Sequence, residues 1–250
     1  MGVAFIPNAK LRAAVYADAA TFEARKFFDL ENASSFSLSF SEEQKLLLDF
    51  RTGAGGIDAS VKRISEMSGS VDLRHATVQN LALALWGTTA SLGATPIVDE
   101  AGYKINTGYF VPTKRVIDTS VAPVVKKGAT TVLTADYTVS PGGILIGSSI
   151  TTGGVANGDS ITISYTPKAG GDVQALISSA PQLSIHVEGI NQVDGKYFVG
   201  RIWKAKLGVA SNVPFISDDF ATITVSLTVE KDETIVTAGV SQYAQLHFNS

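Results

Sequence analysis

Apolar and polar residues alternate with period two along most of this chain. In Phe36-Ser37-Leu38-Ser39-Phe40 the apolar side chains take one side and the hydroxyls the other, the pattern of a strand buried on one face. From position 66 onward, Met67, Gly69, Val71 and Leu73 alternate with Glu66, Ser68, Ser70 and Asp72. Near the C-terminal end, Ala221, Ile223, Val225, Leu227 and Val229 alternate with Thr222, Thr224, Ser226, Thr228 and Glu230. Strands with one buried and one wet face belong to antiparallel sheets. The pattern therefore predicts a mainly β fold.

One segment has a different period. Val78, Leu81, Ala82, Leu85 and Trp86 recur at i, i+3, i+4, i+7 and i+8, the apolar stripe of an amphipathic helix. Thr77 precedes it as an N-cap whose hydroxyl can accept from the first free backbone N–H groups. Gly87 follows where a left-handed residue closes a helix. The spacing predicts one helix over about 77–87, lying on a sheet with this stripe as its core face.

The texture changes again from about Thr113 to Pro167. Short strand candidates at 121–125, 130–133, 137–139, 144–146 and 160–165 are separated by Lys127-Gly128, Pro141-Gly142-Gly143, Gly153-Gly154 and Asn157-Gly158-Asp159. The Asn-Gly pair suits a tight hairpin turn. These signals predict a small β-module over 113–167, inserted into or following a larger β-domain. Pro112 and the stretch from Pro167 to Gly171 are the expected joints.

Composition narrows the function classes. The chain has 250 residues, with Lys+Arg 20 against Asp+Glu 23, a net charge of −3, and no cysteine. Charged residues are 17%, below the ~25% of an average soluble chain. Such a chain has little free surface, or surface that is covered in an assembly. The near-neutral balance argues against a general nucleic-acid binder. The absence of thiols removes disulfides, thiol redox chemistry and cysteine zinc sites. Met1 to Pro7 has no basic segment ahead of its apolar run, which Pro7 breaks, so it does not read as a secretory signal. The longest apolar run, Leu81 to Trp86, is far short of a membrane span. Synthesis in a cytoplasm, with no membrane span, is the expectation.

Catalytic and metal-binding signatures are not found. His75, His186 and His247 are scattered, and His186 reads as a polar-face surface residue. Thr52-Gly53-Ala54-Gly55-Gly56 lacks the Lys-Ser/Thr of a phosphate-binding loop and reads as the tip of a long hairpin. Glycines there suit adaptable contact with another subunit. Adjacent acids at Glu42-Glu43, Asp99-Glu100 and Asp218-Asp219 would point to opposite strand faces and form no dyad. The expectation is a protein that is not an enzyme, with no catalytic residues, cofactor or metal.

The order of these motifs carries a resemblance. A Ser/Phe strand leads to Glu42-Glu43, then to Asp49-Phe50-Arg51-Thr52-Gly53-Ala54-Gly55-Gly56. The strand Ser60 to Leu73 and the helix Thr77 to Gly87 follow. Much later come Ile185-His186-Val187-Glu188-Gly189-Ile190-Asn191, Gly195-Lys196-Tyr197-Phe198, the run Arg201 to Leu207, and Ile216-Ser217-Asp218-Asp219-Phe220. Over roughly residues 10–112 and 180–250 the chain resembles the major tail protein, or tail tube protein, of long-tailed bacteriophages. The resemblance implies a β-sandwich or partly closed barrel with one flanking helix, formed by 1–112 and 168–250. The module 113–167 would be inserted, on the tube exterior. Six copies would form a ring, and rings would stack into a hollow tube in the virion tail for genome passage. Partners would be further copies of the chain, a tape measure protein in the lumen, a tail terminator, and distal tail or baseplate proteins. DNA would pass without specific binding.

Carried onto this sequence, Glu66, Ser68, Ser70 and Asp72 would face the lumen. Thr52, Gly53, Ala54, Gly55, Gly56, Ile57 and Asp58 would form the inter-ring loop. A basic wall would hold DNA through counterion release, whereas hydroxyls with modest acidity would let it slide. Lys62 departs from this, because it falls in phase with the even row. Two other readings stand beside it. One is a carbohydrate-binding or adhesin β-module with Tyr103, Tyr109, Trp86 and Trp203 as stacking platforms. The other is the inner-tube protein of a contractile injection system, which the inserted module makes less fitting.

Overall fold

The computed structural model describes residues 4–18, 21–51 and 56–249. In chain order the first elements are β1 (Pro7–Val15), β2 (Phe28–Asp29), β3 (Ala33–Asp49), β4 (Gly56–Leu73), α1 (Val78–Ala84) and β5 (Thr88–Leu92). Then follow β6 (Ile97–Lys104), β7 (Phe110–Pro112), β8 (Val124–Lys127), β9 (Thr130–Thr131), β10 (Tyr137–Ser140), β11 (Gly143–Ile146) and β12 (Ser160–Tyr165). The last are β13 (Gly170–Gln174), β14 (Gln182–Asn191), β15 (Tyr197–Leu207), β16 (Ile223–Val229) and β17 (Ala244–Phe248). The fold is mainly β, as the alternation predicts.

The chain divides into two compact units, Met1–Thr89 with Val173–Ser250, and Ala90–Asp172. The second unit is larger than the 113–167 module expected from the sequence, and Pro112 is not a joint. Two strands explain the difference. β6 pairs with β12, and β7 pairs with β11 through Pro112 opposite Gly143, so residues 97–112 belong to the second unit's sheets. Proline ends a strand without needing an N–H there, which is how Pro112 could look like a boundary.

In the first unit, antiparallel strands run in the order β2-β1-β14-β15-β16-β4-β3, with β17 on the same edge of β15 as β16. β2 and β3 stand at opposite ends of this order yet are separated by only three residues of chain. The sheet must therefore curl until its ends approach, and the Leu30 N–H donates to the Leu11 carbonyl at 3.0 Å at that seam. Beyond the seam the ends part, so the result is a partly closed barrel. Its core takes the apolar phase of each strand: Val71 and Leu73 from β4, Ile223, Val225, Leu227 and Val229 from β16, and Leu183, Ile185, Ile202 and Ala205 from β14 and β15.

The second unit has its own core, including Ile105, Ile117, Val125, Ile144, Ile146 and Ile163, between the sheets β6-β12-β8-β9 and β10-β11-β7. The expected strands of 113–167 fall within two or three residues of β8 to β12. Asp136 is buried here and accepts from the N–H and Oγ of both Thr151 (2.8 and 2.6 Å) and Thr152 (2.9 and 2.5 Å).

The helix is shorter than expected, and its cap geometry explains why. Thr77 Oγ1 accepts from the Asn80 N–H at 3.1 Å, the predicted N-cap. At the other end Trp86, not Gly87, takes the left-handed conformation at φ 48°. Gly87 N–H then returns to the Ala82 carbonyl at 2.7 Å and Trp86 N–H to Leu83 at 3.4 Å, the paired bonds of a Schellman closure. Gly87 is required for a different reason: a Cβ there would stand 2.5 Å from the Gln174 carbonyl oxygen.

The buried helix residues are Asn80, Ala82 and Ala84. Leu81, half-buried, packs against the barrel core, whereas Leu85 and Trp86 are only half-buried and Val78 is exposed, so the predicted stripe holds at Leu81 and Ala82 and is corrected at Val78, Leu85 and Trp86. Two polar tethers fix this rotation. Asn80 Nδ2 donates to the carbonyls of Leu30 and His75, both at 3.1 Å, and the Ala84 carbonyl accepts from Ala210 N–H at 2.7 Å.

Candidate functional site

Three neighbouring strands of the barrel present one polar face. The register places Ser35, Asp72 and Thr224 in one row, Ser37, Ser70 and Ser226 in the next, and Ser39, Ser68 and Thr228 in a third. Directly opposed residues of an antiparallel pair share a face, so the rows make a continuous field of hydroxyls with one carboxylate. Ser37 and Ser70 hydroxyls are 3.2 Å apart, and Thr224 Oγ1 donates to Asp72 at 2.6 Å. Glu66 extends the field opposite Ser41 and is exposed, while Ser68, Ser70 and Asp72 are half-buried. The four residues picked from the sequence thus share one face, and Ser35, Ser37, Ser39, Thr224, Ser226 and Thr228 complete it.

Lys62 does not lie on that face. Ser41 pairs with Glu66, but the next residue, Glu42, pairs with Ile64. Ser65 is therefore a bulge residue, and one extra residue on a strand reverses its side-chain phase. Beyond it Ile64 joins Phe40 and Met67 on the apolar side of the barrel, and Lys62 follows Ile64, pairing with Glu42 at 3.5 Å. Arg63 takes the polar face instead, where the Glu43 carboxylate accepts from it at 2.6 and 2.8 Å. The expected even-numbered row breaks at the bulge, and the cation on its continuation is paired.

The distal part of the β3–β4 hairpin has no third strand beside it among the described residues. Leu46, Leu47 and Leu48, Phe50 and Ile57 are exposed on it. Thr52, Gly53, Ala54 and Gly55 of the expected inter-ring loop lie outside the described residues. Gly56, Ile57 and Asp58 form the start of β4 and are exposed. A two-stranded ribbon is marginal in water by itself, and an apolar one is a surface that seeks a partner.

On the other side of the curled sheet lies a cleft of about 1260 Å³, wholly within the first unit. Phe5, Phe40, Ile64, Met67, Phe198 and Leu246 give it an apolar lining. It opens where the edges of β1 and β3 part, and nothing in the sequence pattern signals it. A chain that curls back on itself leaves such an opening only through tertiary geometry.

Titratable groups are spread rather than gathered. His75 Nδ1 is 2.7 Å from Glu31, while His186 lies against the rings of Phe22 and Phe27 at 6.2 and 5.9 Å between centroids. Burial, then the charges of Arg201 and Arg12, hold the His186 pKa below its ordinary value. It is half-buried, not the surface residue expected. Among the described residues no three His, Asp or Glu side chains are placed to hold a metal ion. No described helix is long and apolar enough to cross a membrane.

Two polar clusters escaped sequence reading because their members are far apart in the chain. In the first unit Arg25 is buried with Asp232 (4.0 Å) and donates to Ser184 Oγ at 2.6 Å, while Tyr16 donates to Asp232 at 2.8 Å. In the second, Glu100 accepts from Tyr103 and, at 3.0 Å, from Tyr165. Burial and the Glu100 bond push the Tyr165 hydroxyl up to about 12. Burial opposes the Glu100 charge, but bonds from the two tyrosines and Lys114 outweigh it and hold its pKa below the ordinary value.

Of the stacking platforms a sugar site would use, Trp203 and Tyr103 are buried, and Trp203 spends its indole N–H on the Ser241 carbonyl at 2.8 Å. Trp86 is half-buried at the helix end, and Tyr109 alone is well exposed. The four do not form an open aromatic surface.

Comparison with known proteins adds one match. A family model described as protein of unknown function UCP028589 matches residues 13–247. No curated protein matches the chain.

Proposed function

This chain belongs to the UCP028589 family, and we propose that it is a self-assembling structural subunit of a hollow tube, a tail tube protein of the kind its sequence resembles. The observation that carries this reading is the hydroxyl field of β3, β4 and β16. It is rich in hydroxyls, continuous over three strands, and keeps Lys62 off its surface by means of one bulge. Polyanionic DNA is held by cations that displace its counterions. The wall of Ser and Thr with Glu66 and Asp72 offers few: Arg63 is held by Glu43, and Lys206, opposite Thr228, stands at the margin of the field, so a duplex meets mostly hydroxyls and slides past.

The distal hairpin supplies the complementary requirement. Its exposed leucines, Phe50 and Ile57 are unfavourable in a free monomer and become buried when copies associate. In this reading six copies form a ring, rings stack in the virion tail, and the protein acts structurally, without catalysis. Tape measure, terminator and baseplate proteins would meet it in the lumen and at the tube ends.

Negative-stain electron microscopy of the purified chain over a concentration series, repeated with sheared tail fragments as nuclei, tests the reading. Six-fold rings or hollow tubes are the expected result. Particles that stay monomeric at every concentration and in the presence of nuclei would overturn it.

A further inference from the structure

The barrel's strands have two distinct ends, and each carries an apolar surface. At one end, the connection from β15 to β16 holds Phe215, Ile216 and Phe220 at 91%, 97% and 82% exposure. This connection begins beside α1, where Ala210 N–H meets the Ala84 carbonyl, and ends beside Leu73, opposite Ile223. Toward the other end lies the cleft, lined by Phe198 from the start of β15, by Val229 at the end of β16 and by Lys231 just after it. From Phe198 to Leu207 an extended strand covers about 30 Å at ~3.3 Å per residue. The cleft is therefore centred away from the exposed segment along the same strands, although its wall extends to Ala33, which pairs with Leu73.

We infer that the cleft is the docking site for residues 213–220 of a second copy of this chain, in a head-to-tail contact. Several observations select this occupant. The cleft, at about 1260 Å³, exceeds the ~300–1,000 Å³ usual for small-molecule pockets, so it fits a peptide segment. The segment supplies three large apolar side chains with almost no contacts of their own. Its Asp218 and Asp219 carry the charge that the exposed Lys231 in the cleft lining attracts; of the carboxylates that line it, Glu230 is already held by Lys204 at 3.0 Å and Glu66 belongs to the polar face of β4. The hairpin also runs on past the cleft, from Phe40 and Ile64 in its wall to Leu48 and Ile57 near its tip. A copy seated on the cleft would meet those exposed residues in the same approach.

A segment that fits a different surface of the next copy is satisfied without a two-fold axis between them. It produces a directional series of copies, closed or open. This deepens the proposed function, since it rests on the same premise that copies of the chain associate, and it gives that association a polarity.

The absence of cysteine makes a clean test possible. Two full-length single variants, Ile216→Cys and Leu246→Cys, are made with tags of different mass, each at an exposed position so that the fold is kept. They are mixed under mild oxidation and the disulfide-linked dimers are weighed by denaturing electrophoresis. The expected result is a mixed dimer in several-fold excess over its statistical share. A mixed dimer at or below that share overturns the inference. So does an excess obtained when Leu47→Cys, in the hairpin, replaces Ile216→Cys, because the hairpin would then be the occupant. Tubes in the microscope with only statistical cross-linking would sink this contact and leave the proposed function standing. Excess cross-linking with no rings or tubes would do the reverse.

Discussion

At the residue scale, the second unit turns on Asp136. Its buried carboxylate accepts four hydrogen bonds from Thr151 and Thr152, and these bonds hold its pKa well below the ordinary value. A carboxyl whose folded pKa is depressed contributes stability that is complete above its unfolded pKa, about 4. That contribution is lost as pH falls through the folded value. Thermal unfolding followed from pH 7 to pH 2 should therefore show a decline below about pH 4 that Asp136→Asn makes shallower. The variant should also have the lower Tm at pH 7, because an amide oxygen cannot serve four donors and its NH2 group meets a hydroxyl or N–H. Equal pH profiles for the two proteins would remove this role. None of it was legible in the sequence, where Asp136 is a lone acid and its partners lie fifteen residues on. His186 was misjudged for the same reason: its neighbours Phe22 and Phe27 come from a distant segment. Thr77 was readable because a cap and its helix are adjacent in the chain.

At the scale of elements, strict alternation located β3, β4 and β16 and the face they share, since period two is a local property of a strand. What it missed was the phase change inside β4. The trace was present: apolar residues at Met67 and Ile64 are three apart, an odd spacing that a regular strand cannot put on one face. The bulge decides which cation belongs to the polar field, and this gives a paired prediction. Ser70→Lys places an unpaired cation in the centre of the field, whereas Lys62→Glu changes a charge on the opposite face. Assembled protein carrying Ser70→Lys should bind duplex DNA with a steep salt dependence, log K falling with log salt by about 0.9 for each phosphate neutralised. Lys62→Glu should leave DNA retention unchanged. Filter binding between low and physiological salt reads both, and a stronger effect at position 62 than at 70 would reverse the assignment of faces. The helix shows the limit of periodicity from the other side. With seven residues it is too short for a stripe to decide its rotation, and the Asn80 and Ala84 backbone tethers decide it.

For the whole molecule, the sequence separated two textures but set the first boundary too late, because a proline at the end of a strand looks like a linker. The structure gives each unit its own apolar cluster, with no residue in common. The chain leaves the first unit after Thr89 and returns at Val173. Those two points lie close together: a Cβ on Gly87 would be 3.3 Å from Val173 Cγ1. A short flexible linker can therefore replace Ala90–Asp172 without stretching the barrel, since closing a short loop in place of a long insertion costs little chain entropy. Every residue of the hydroxyl field, the cleft and the 213–220 segment belongs to the first unit. If association depends on those surfaces alone, the shortened chain should unfold cooperatively and form the same rings or tubes as the full chain. Class averages of the two assemblies compare them directly. A shortened chain that folds, by circular dichroism and a single thermal transition, yet never assembles would place an essential contact in the second unit, and the division of labour argued from the separate cores would fail.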